Sequence, residues 1–126
     1  MEYMQLDSEV LELAVRAQAK ERPEHIYIPD EGGQSFYARK KMSGYIPDCI
    51  IGHALAACGV PIEQIAELDK AQEGEAYYTL LQFGINEDVR EWCNMVQRLQ
   101  DNGTPWDVAI VEADRTFSME GLGRGE

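Results

Sequence analysis

The sequence predicts a mainly α-helical domain with one small β-hairpin, an α+β protein packed around a buried central helix. Three observations support this fold class. Apolar residues recur at helical spacing between capping residues, one long segment carries no charge, and two aromatic-rich segments flank a glycine-containing turn. The chain of 126 residues suits one domain. We expect this domain to span residues 1–117, with a flexible tail at 118–126 that holds three glycines in its last six residues.

The first predicted helix runs from Ser8 to Glu21. Ser8 is a favourable N-cap, because its hydroxyl can accept a hydrogen bond from a free backbone N–H of the first turn. Pro23 ends the helix, since proline disfavours helical geometry in the residue before it. The apolar stripe of this helix consists of Val10, Leu11, Ala14 and Val15.

Two short segments after the first helix are predicted to pair as the hairpin, at about residues 25–40. Residues 25–28 and 35–39 are rich in the aromatic and β-branched side chains that are typical of strands. Residues 29–33 between them hold a proline, an aspartate and two glycines, which are residue types that turns need. An isolated hairpin is only marginally stable in water, so we expect this one to pack against the helices.

The central helix is predicted from Cys49 to Cys58, within a segment that carries no formal charge. A helix that is apolar or small on every side is typically a buried helix. Asp48 is placed to cap its start, and Gly59 suits the left-handed position after its last turn. Small residues lie opposite its apolar stripe and would let neighbouring helices approach closely: Gly52, Ala56 and Ala57.

Four further helices complete a prediction of six. One begins at Pro61 and ends near Asp69. The next covers residues 75–83, although its aromatic run could instead pair as a strand. Asn86 caps the third, which ends at an Asn-Gly pair, and the last follows a capping box at residues 104–107.

The charge of the chain excludes several classes of function. The chain holds 23 acidic and 11 basic residues, a net charge of −12. Nucleic-acid binders and proteins of anionic membrane surfaces need a basic surface, so we predict neither kind of partner. The only basic run, residues 39–41, is interpreted as a solvated strand end. No apolar run approaches the ~18 residues of a membrane span, and the acidic start does not resemble a secretory signal, so we expect a cytoplasmic protein.

Cysteine and histidine residues raise two chemical hypotheses. A zinc site could be built from four residues: Cys49, His53, Cys58 and Cys93. On a helical wheel, however, Cys49 and Cys58 point in nearly opposite directions, and no CxxC knuckle exists, so we predict no metal and no cofactor and interpret these side chains as core residues. The second hypothesis is a thiol-dependent enzyme in which His53 activates Cys49 at the start of the helix. No carboxylate other than Asp48 and no oxyanion loop accompanies this pair, so we predict no catalytic residue.

Two further hypotheses concern nucleic acids. The turn at Gly59 could belong to a helix-turn-helix, but the outward face of its second helix carries acids that phosphates would repel. The inverse hypothesis is an acidic DNA mimic that inhibits a nucleic-acid-binding protein, although ordinary acidic helix faces have the same pattern. The carboxylates of such a mimic form two clusters: Glu63, Glu67, Asp69, Glu73 and Glu75, then Glu87, Asp88 and Glu91.

Three segments of the chain resemble a pattern in small proteins of actinobacteria and their phages. They are Pro-Asp-Cys-Ile-Ile-Gly-His-Ala-Leu at residues 47–55, Gly-Val-Pro at 59–61 and Gln-Asp-Asn-Gly-Thr-Pro-Trp at 100–106. The resemblance covers roughly residues 25–115. That family is uncharacterised, so the resemblance implies a source, an actinobacterium or its phage, and no particular activity.

Since no catalytic set is complete, the sequence favours a non-enzymatic protein-interaction module. Our hypothesis is a phage-encoded protein, in keeping with the source that the resemblance implies, that acts on a host protein, and a second copy of the chain is a further candidate partner. Exposed aromatic residues and arginine are typical interface anchors, and the predicted hairpin supplies four of them. The predicted partner-binding residues are Tyr27, Phe36, Tyr37 and Arg39. The alternative is that these side chains pack inward.

Overall fold

The structure is a computed structural model and describes residues 3–29, 35–71 and 75–117. It confirms the predicted fold class, since these ranges are mainly helical with one small antiparallel hairpin. The predicted tail at 118–126 lies outside them. In chain order the elements are α1 (Ser8–Glu21), β1 (Ala38–Lys41), β2 (Gly44–Pro47), α2 (Ile50–Ala57), α3 (Ile62–Ala71), α4 (Ala76–Leu81), α5 (Glu87–Asp101) and α6 (Trp106–Phe117).

Helix α1 has the predicted bounds but a different N-cap and a different buried face. The Asp7 carboxylate, not the Ser8 hydroxyl, caps α1 by accepting a hydrogen bond from the backbone N–H of Val10 (3.1 Å). The Ser8 hydroxyl accepts instead from the backbone N–H of Asn86 (2.9 Å), which joins the start of α1 to the start of α5. Val10 is exposed, because α1 packs on α2, α5 and α6 through a rotated face: Leu11, Glu12, Val15 and Ala19.

The prediction of a hairpin at residues 25–40 is wrong in position, since the paired strands are β1 and β2. Residues 25–28 form no strand, because the backbone of this segment is hydrogen-bonded to another element. The carbonyl oxygen of His25 accepts a hydrogen bond from the backbone N–H of Trp106 (3.0 Å), which satisfies a free donor at the start of α6. The predicted turn at residues 29–33 lies almost entirely outside the described residues.

Helix α2 is the buried central helix that the sequence predicts. Its N-cap is Cys49, whose sulfur accepts a hydrogen bond from the backbone N–H of Gly52 (3.4 Å), so the prediction of Asp48 as the cap is wrong. Gly59 has φ 95°, which confirms the predicted left-handed turn after the helix. The helix contacts α1, α3, α5 and β2. Its fully buried side chains are Ile50, Ile51, Ala54 and Leu55.

Close packing between α2 and the segment before β1 depends on Gly52. A Cβ built on Gly52 would lie 1.9 Å from the carbonyl oxygen of Tyr37. That oxygen accepts a hydrogen bond from the backbone N–H of Asp48 (3.0 Å), and the oxygen of Phe36 accepts from the N–H of Cys49 (3.1 Å). The backbone that enters β1 is thus bonded to the start of α2, which holds the hairpin on the helical core.

Helices α4 and α5 form as the capping residues predict. The helix predicted at residues 75–83 forms over the shorter range Ala76–Leu81, and Gly84 (φ 78°) follows as the predicted stop. Asn86 caps α5, because its side-chain oxygen accepts a hydrogen bond from the backbone N–H of Val89 (2.9 Å). The ambiguity between helix and strand is therefore resolved in favour of a helix that packs on α5.

Gln100 joins α5 to two other helices inside the core. Its side chain is fully buried. The side-chain oxygen accepts hydrogen bonds from the backbone N–H of Ile50 and from the indole N–H of Trp106, each at 3.2 Å. Buried polar atoms need such partners, so this amide ties the start of α2 and the first residue of α6 to the end of α5.

Candidate functional site

The structure gives the hypothesis of a thiol-dependent enzyme no support. Cys49 is fully buried, and burial raises the pKa of its thiol to about 12, against the opposing hydrogen bonds from Gln97 and Gly52. A nucleophilic cysteine needs an accessible thiolate with a lowered pKa, whereas the Cys49 thiol is buried and its pKa is raised. The His53 ring lies edge-on against Trp106, with 5.7 Å between ring centroids. Nothing in the described residues bonds that ring to the thiol.

The cysteines of the zinc hypothesis are free thiols in the core. Cys49 and Cys93 are buried and Cys58 is half-buried. Burial raises the pKa of the Cys58 and Cys93 thiols, which keeps both protonated at neutral pH. In the part of the chain that the structure describes, no group of three or more His, Cys, Asp or Glu side chains is placed to hold a metal ion.

The four predicted partner-binding residues come together at the hairpin, but they are not equally exposed. Tyr27 and Tyr37 are only 3% and 8% exposed, so the expected exposure is wrong for these two residues and the alternative of inward packing is correct. Tyr37 donates a hydrogen bond from its hydroxyl to the hydroxyl of Thr79 (3.3 Å). Phe36 and Arg39 stay partly exposed, with the guanidinium 5.4 Å from the centre of the Phe36 ring.

A hydrogen-bonded network holds Arg39 in place. Its Nε donates to Oδ2 of Asp48 (3.0 Å), and a terminal nitrogen lies 2.9 Å from the same oxygen. That nitrogen also donates to the Tyr27 hydroxyl (3.3 Å) and to the carbonyl oxygen of Ile28 (3.2 Å). The Tyr27 hydroxyl donates to Asp48 (2.5 Å) and accepts from the backbone N–H of Phe36 (2.9 Å). The network joins the segment after α1, strand β1 and the start of α2.

The same network sets the protonation of Tyr27 and Arg39. Burial raises the pKa of Tyr27, and its hydrogen bond to Asp48 raises that pKa further. The hydrogen bond to Asp48 also raises the pKa of Arg39. At neutral pH the phenol is therefore uncharged and the guanidinium charged, which suits fixed hydrogen bonding.

A second carboxylate, that of Asp69 in α3, anchors the start of β1. Its two oxygens accept hydrogen bonds from the backbone N–H of Tyr37 (3.0 and 3.1 Å), and one also accepts from the N–H of Ala38 (3.2 Å). Burial raises the pKa of Asp69, and the two backbone N–H groups oppose that shift. The sequence marked Asp69 only as one acid in a cluster, because its partners lie 31 and 32 residues away.

The two faces of the hairpin differ in their surroundings. Residues directly opposite each other in antiparallel strands share a face, so Arg39 lies with Ile46. On this side a hollow of about 270 Å³ separates β1 from the segment that contains Ile28. We define the hairpin surface as the solvent-facing residues on this side and at the tip of the hairpin: Ile28, Arg39, Lys41, Met42 and Ile46.

The other face of the hairpin forms a groove with α3. Arg39, Lys40 and Tyr45 line it from the hairpin, so Arg39 borders both this groove and the hollow on the opposite side. Lys40 and Tyr45 are paired across the strands. Ala66, Asp69 and Lys70 line it from α3, and its volume is about 450 Å³. We call this space the hairpin–α3 groove. Sequence reasoning missed it, because the predicted hairpin ended before Tyr45 and no local pattern brings that residue beside α3.

Members of the acidic clusters in the DNA-mimic hypothesis have partners within the fold. Asp69 is bound to backbone N–H groups, as described above. The carboxylate of Glu75 lies 3.8 Å from Arg98, and that of Glu87 accepts a hydrogen bond from a tyrosine hydroxyl at 3.1 Å. Glu73 lies outside the described residues. A mimic of a phosphate track needs solvent-facing carboxylates. Asp69 does not meet this requirement, whereas Glu63, Glu75, Glu87, Asp88 and Glu91 are exposed.

No family model, no curated protein and no solved structure matches the chain. Within the residues that the structure describes, no helix is both long enough and apolar enough to cross a lipid bilayer. The functional argument therefore depends on the chemistry and geometry of the hairpin and its neighbours.

Proposed function

We propose that this chain is a non-enzymatic protein-interaction module that engages its partner through the hairpin surface. The observation that carries the proposal is the combination of exposed aliphatic side chains with a fixed arginine. Ile28 is 77% exposed and Ile46 is 43% exposed, while Met42 at the tip is fully exposed. Aromatic residues, methionine and arginine are enriched at protein interfaces, and apolar side chains fill their centres.

Arg39 suits the role of an interface anchor because it is ordered before a partner binds. Ordering a long side chain at an interface costs about 0.5–1.5 kcal/mol. Asp48 and the Ile28 carbonyl oxygen already hold this guanidinium, so less of that entropy is lost on binding. Its side chain is still 25% exposed, which leaves part of the guanidinium available to a partner.

The resemblance to small proteins of actinobacteria and their phages extends the proposal. The source that it implies is an actinobacterium or its phage, and we propose a phage-encoded module that acts on a host protein in the host cytoplasm. A second copy of the chain is the competing partner. The thiol-enzyme alternative has no observation in its favour, since the Cys49 thiol is inaccessible. The DNA mimic is the competing function, because most carboxylates of its two clusters are exposed.

Affinity capture with matched variants tests the proposal. Immobilised wild-type chain, Ile28→Ser and Leu13→Ser are compared in an actinobacterial lysate, and any captured protein is purified and titrated against all three. Leu13 on α1 is 51% exposed, so its substitution removes the same kind of side chain away from the hairpin. We expect Ile28→Ser to weaken binding by about tenfold or more, as for an interface anchor, and Leu13→Ser to bind like wild type.

Several outcomes would contradict this assignment. Equal binding by both variants would exclude the hairpin surface, and the absence of any captured protein across salt conditions would count against a host partner. A captured nucleic-acid-binding protein that DNA displaces, with no effect of Ile28→Ser, would favour the DNA mimic. Sedimentation equilibrium of the purified chain tests whether the partner is a second copy of the chain. A dimer in the wild type that becomes a monomer in Ile28→Ser would show that the hairpin surface binds another copy.

A further inference from the structure

The hairpin–α3 groove combines an apolar floor with positively charged side chains at its rim. Ala38 and Ala66 are buried at its base, and the half-buried ring of Tyr45 forms one wall. Lys40 and Lys70 approach it from opposite sides, one from β1 and one from α3. Its volume of about 450 Å³ lies in the range of ~300–1,000 Å³ that is usual for ligand sites.

The positive charge at this place contrasts with the rest of the chain, whose net charge is −12. Two of its four lysines, Lys40 and Lys70, line the groove, and Lys41 lies on the opposite side of the hairpin. In the described residues Lys40 and Lys41 form no ion pair. Lys70 pairs with Glu67 at 3.4 Å, and both side chains are largely exposed. Such an exposed pair contributes little to stability, so an incoming carboxylate can take the place of Glu67.

Among the described residues that line the groove, Asp69 is the carboxylate, and it is hydrogen-bonded to backbone. Asp69 accepts hydrogen bonds from the backbone N–H groups of Tyr37 and Ala38, which compensate its charge. The lysines at the rim therefore determine the charge that a ligand meets first. A surface of this sign and shape is complementary to an acidic ligand with an apolar part.

We infer that the hairpin–α3 groove binds an acidic peptide segment that carries a large apolar side chain. The carboxylates of the segment contact Lys40 and Lys70, and its apolar side chain lies between Tyr45 and Ala66. A peptide fits better than a nucleic acid, because a continuous phosphate chain would meet the negative charge of the remaining surface. This inference depends on the proposed interaction function and specifies the chemistry of the partner.

The test uses NMR spectroscopy of the full ¹⁵N-labelled chain with three blocked pentapeptides. The probe is acetyl-Glu-Glu-Phe-Glu-Glu-amide, and the comparators replace its four glutamates by glutamine or by lysine. We expect the acidic probe to shift the amide signals of Tyr45, Ala66 and Lys70 in a concentration-dependent manner. The glutamine peptide should bind more weakly by about fivefold or more, and the lysine peptide should not bind, because attraction to the rim is electrostatic.

Charge reversal provides the matched variants. The double variant Lys40→Glu, Lys70→Glu should lose tenfold or more of the affinity for the acidic probe, by the loss of attraction and the gain of repulsion. The control Lys20→Glu, Arg115→Glu changes the net charge by the same amount on α1 and α6, and both of its side chains are exposed. It should bind the probe nearly as well as the unchanged chain, and both variants should keep the wild-type circular dichroism spectrum.

The outcomes separate this inference from the proposed function. The inference is overturned if the acidic probe causes no shifts at about 2 mM, a concentration that detects even weak complexes, or if the glutamine peptide binds equally well. Shifts mapped outside the groove, or binding of a ten-residue oligodeoxythymidine at the same amides, would also overturn it. If the lysine double variant still binds the captured partner while Ile28→Ser does not, the groove assignment fails and the proposed function stands. If the probe binds the groove but Ile28→Ser leaves partner binding unchanged, the hairpin surface is the part that fails.

Discussion

At Gly52 the backbone of Tyr37 occupies the space where a side chain would begin. The 1.9 Å separation between a built Cβ and the Tyr37 carbonyl oxygen is far below any real contact. The obstacle is backbone, and that backbone is itself bonded to the start of α2. Neither partner can move without breaking the attachment of the hairpin, so the requirement for glycine here comes from packing and not from helix formation.

The substitution Gly52→Ala should destabilise the protein by about 3 kcal/mol or more, because overpacking against a fixed backbone is added to the loss of hydrogen bonds. Urea denaturation followed by circular dichroism measures the change. The matched control is Ala57→Gly at the exposed end of the same helix, which should cost at most about 1 kcal/mol through helix propensity. A stabilising effect of Gly52→Ala, as propensity alone would predict, would contradict the structure.

Among the elements, α1 is joined to α5 and α6 by a charged cluster. The Arg16 guanidinium donates to both oxygens of Asp114 in α6 (2.7 and 2.9 Å) and to the buried carboxylate of Glu12 (2.8 Å). Trp92 of α5 donates its indole N–H to Asp114 (3.0 Å), and its ring lies 4.8 Å from the guanidinium carbon. The charges at this junction have partners on three helices, which offsets the cost of partly burying them.

A double-mutant cycle on Arg16→Ala and Asp114→Ala should give a coupling energy of about 1–3 kcal/mol, since the pair is bidentate and partly shielded from water. The comparison is the exposed pair of Arg115 and Glu112 at 2.7 Å, for which the same cycle should give about 0.5 kcal/mol or less. Thermal or urea unfolding supplies the stabilities of the wild type, the four single variants and the two double variants. Equal coupling energies in the two cycles would show that the pair of Arg16 and Asp114 stabilises the fold no more than an exposed ion pair does.

Across the whole molecule, two histidines meet at one tryptophan where several elements converge. The rings of His25, after α1, and His53, in α2, contact Trp106 of α6 with centroids 4.5 and 5.7 Å away. Burial lowers the pKa of both histidines, and the nearby Arg22 lowers both further, while Asp48 opposes the shift. Protonation of either ring therefore places a charge at a junction built around neutral aromatic packing.

The free energy of unfolding should consequently decrease as the pH falls through the ordinary pKa of histidine, about 6.5. The unfolded chain takes up protons first, near its pKa of about 6.5, whereas the folded chain does so only at lower pH. We expect the free energy of unfolding to decrease between about pH 7.5 and about pH 5.5, and to decrease less in the double variant His25→Gln, His53→Gln. Urea titrations at the two pH values measure this difference.

The carboxyls of Asp69 and Asp101 must be separated from this effect. Burial raises the pKa of Asp69 and Asp101, so their protonation favours the folded chain at low pH and acts in the opposite direction. They are present in both the wild type and the double variant, so the difference between the two chains isolates the histidines. An identical pH dependence in both chains would show that the rings at Trp106 do not titrate with folding.

The sequence alone determined the helical elements, because the signals that start, stop and orient a helix are local. The Asn86 cap, the glycines after α2 and α4, and the uncharged stretch of the central helix all lie within a few residues of what they control. The sequence did not decide between two adjacent residues that compete to cap the same helix. Asp7 and Ser8 are adjacent and equally good caps, and only the contact of Ser8 with Asn86, 78 residues away, assigns their roles.

Only the tertiary structure decided where the hairpin forms and which of its residues face the solvent. The expected pairing at residues 25–40 failed because the backbone of His25 serves α6, and the exposure expected of Tyr27 failed because its hydroxyl meets Asp48. The hairpin–α3 groove likewise depends on a carboxylate that bonds backbone groups 31 and 32 residues away. A strand, unlike a helix, completes its hydrogen bonds with distant parts of the chain, so its position and its exposed face are settled only when those parts have packed together.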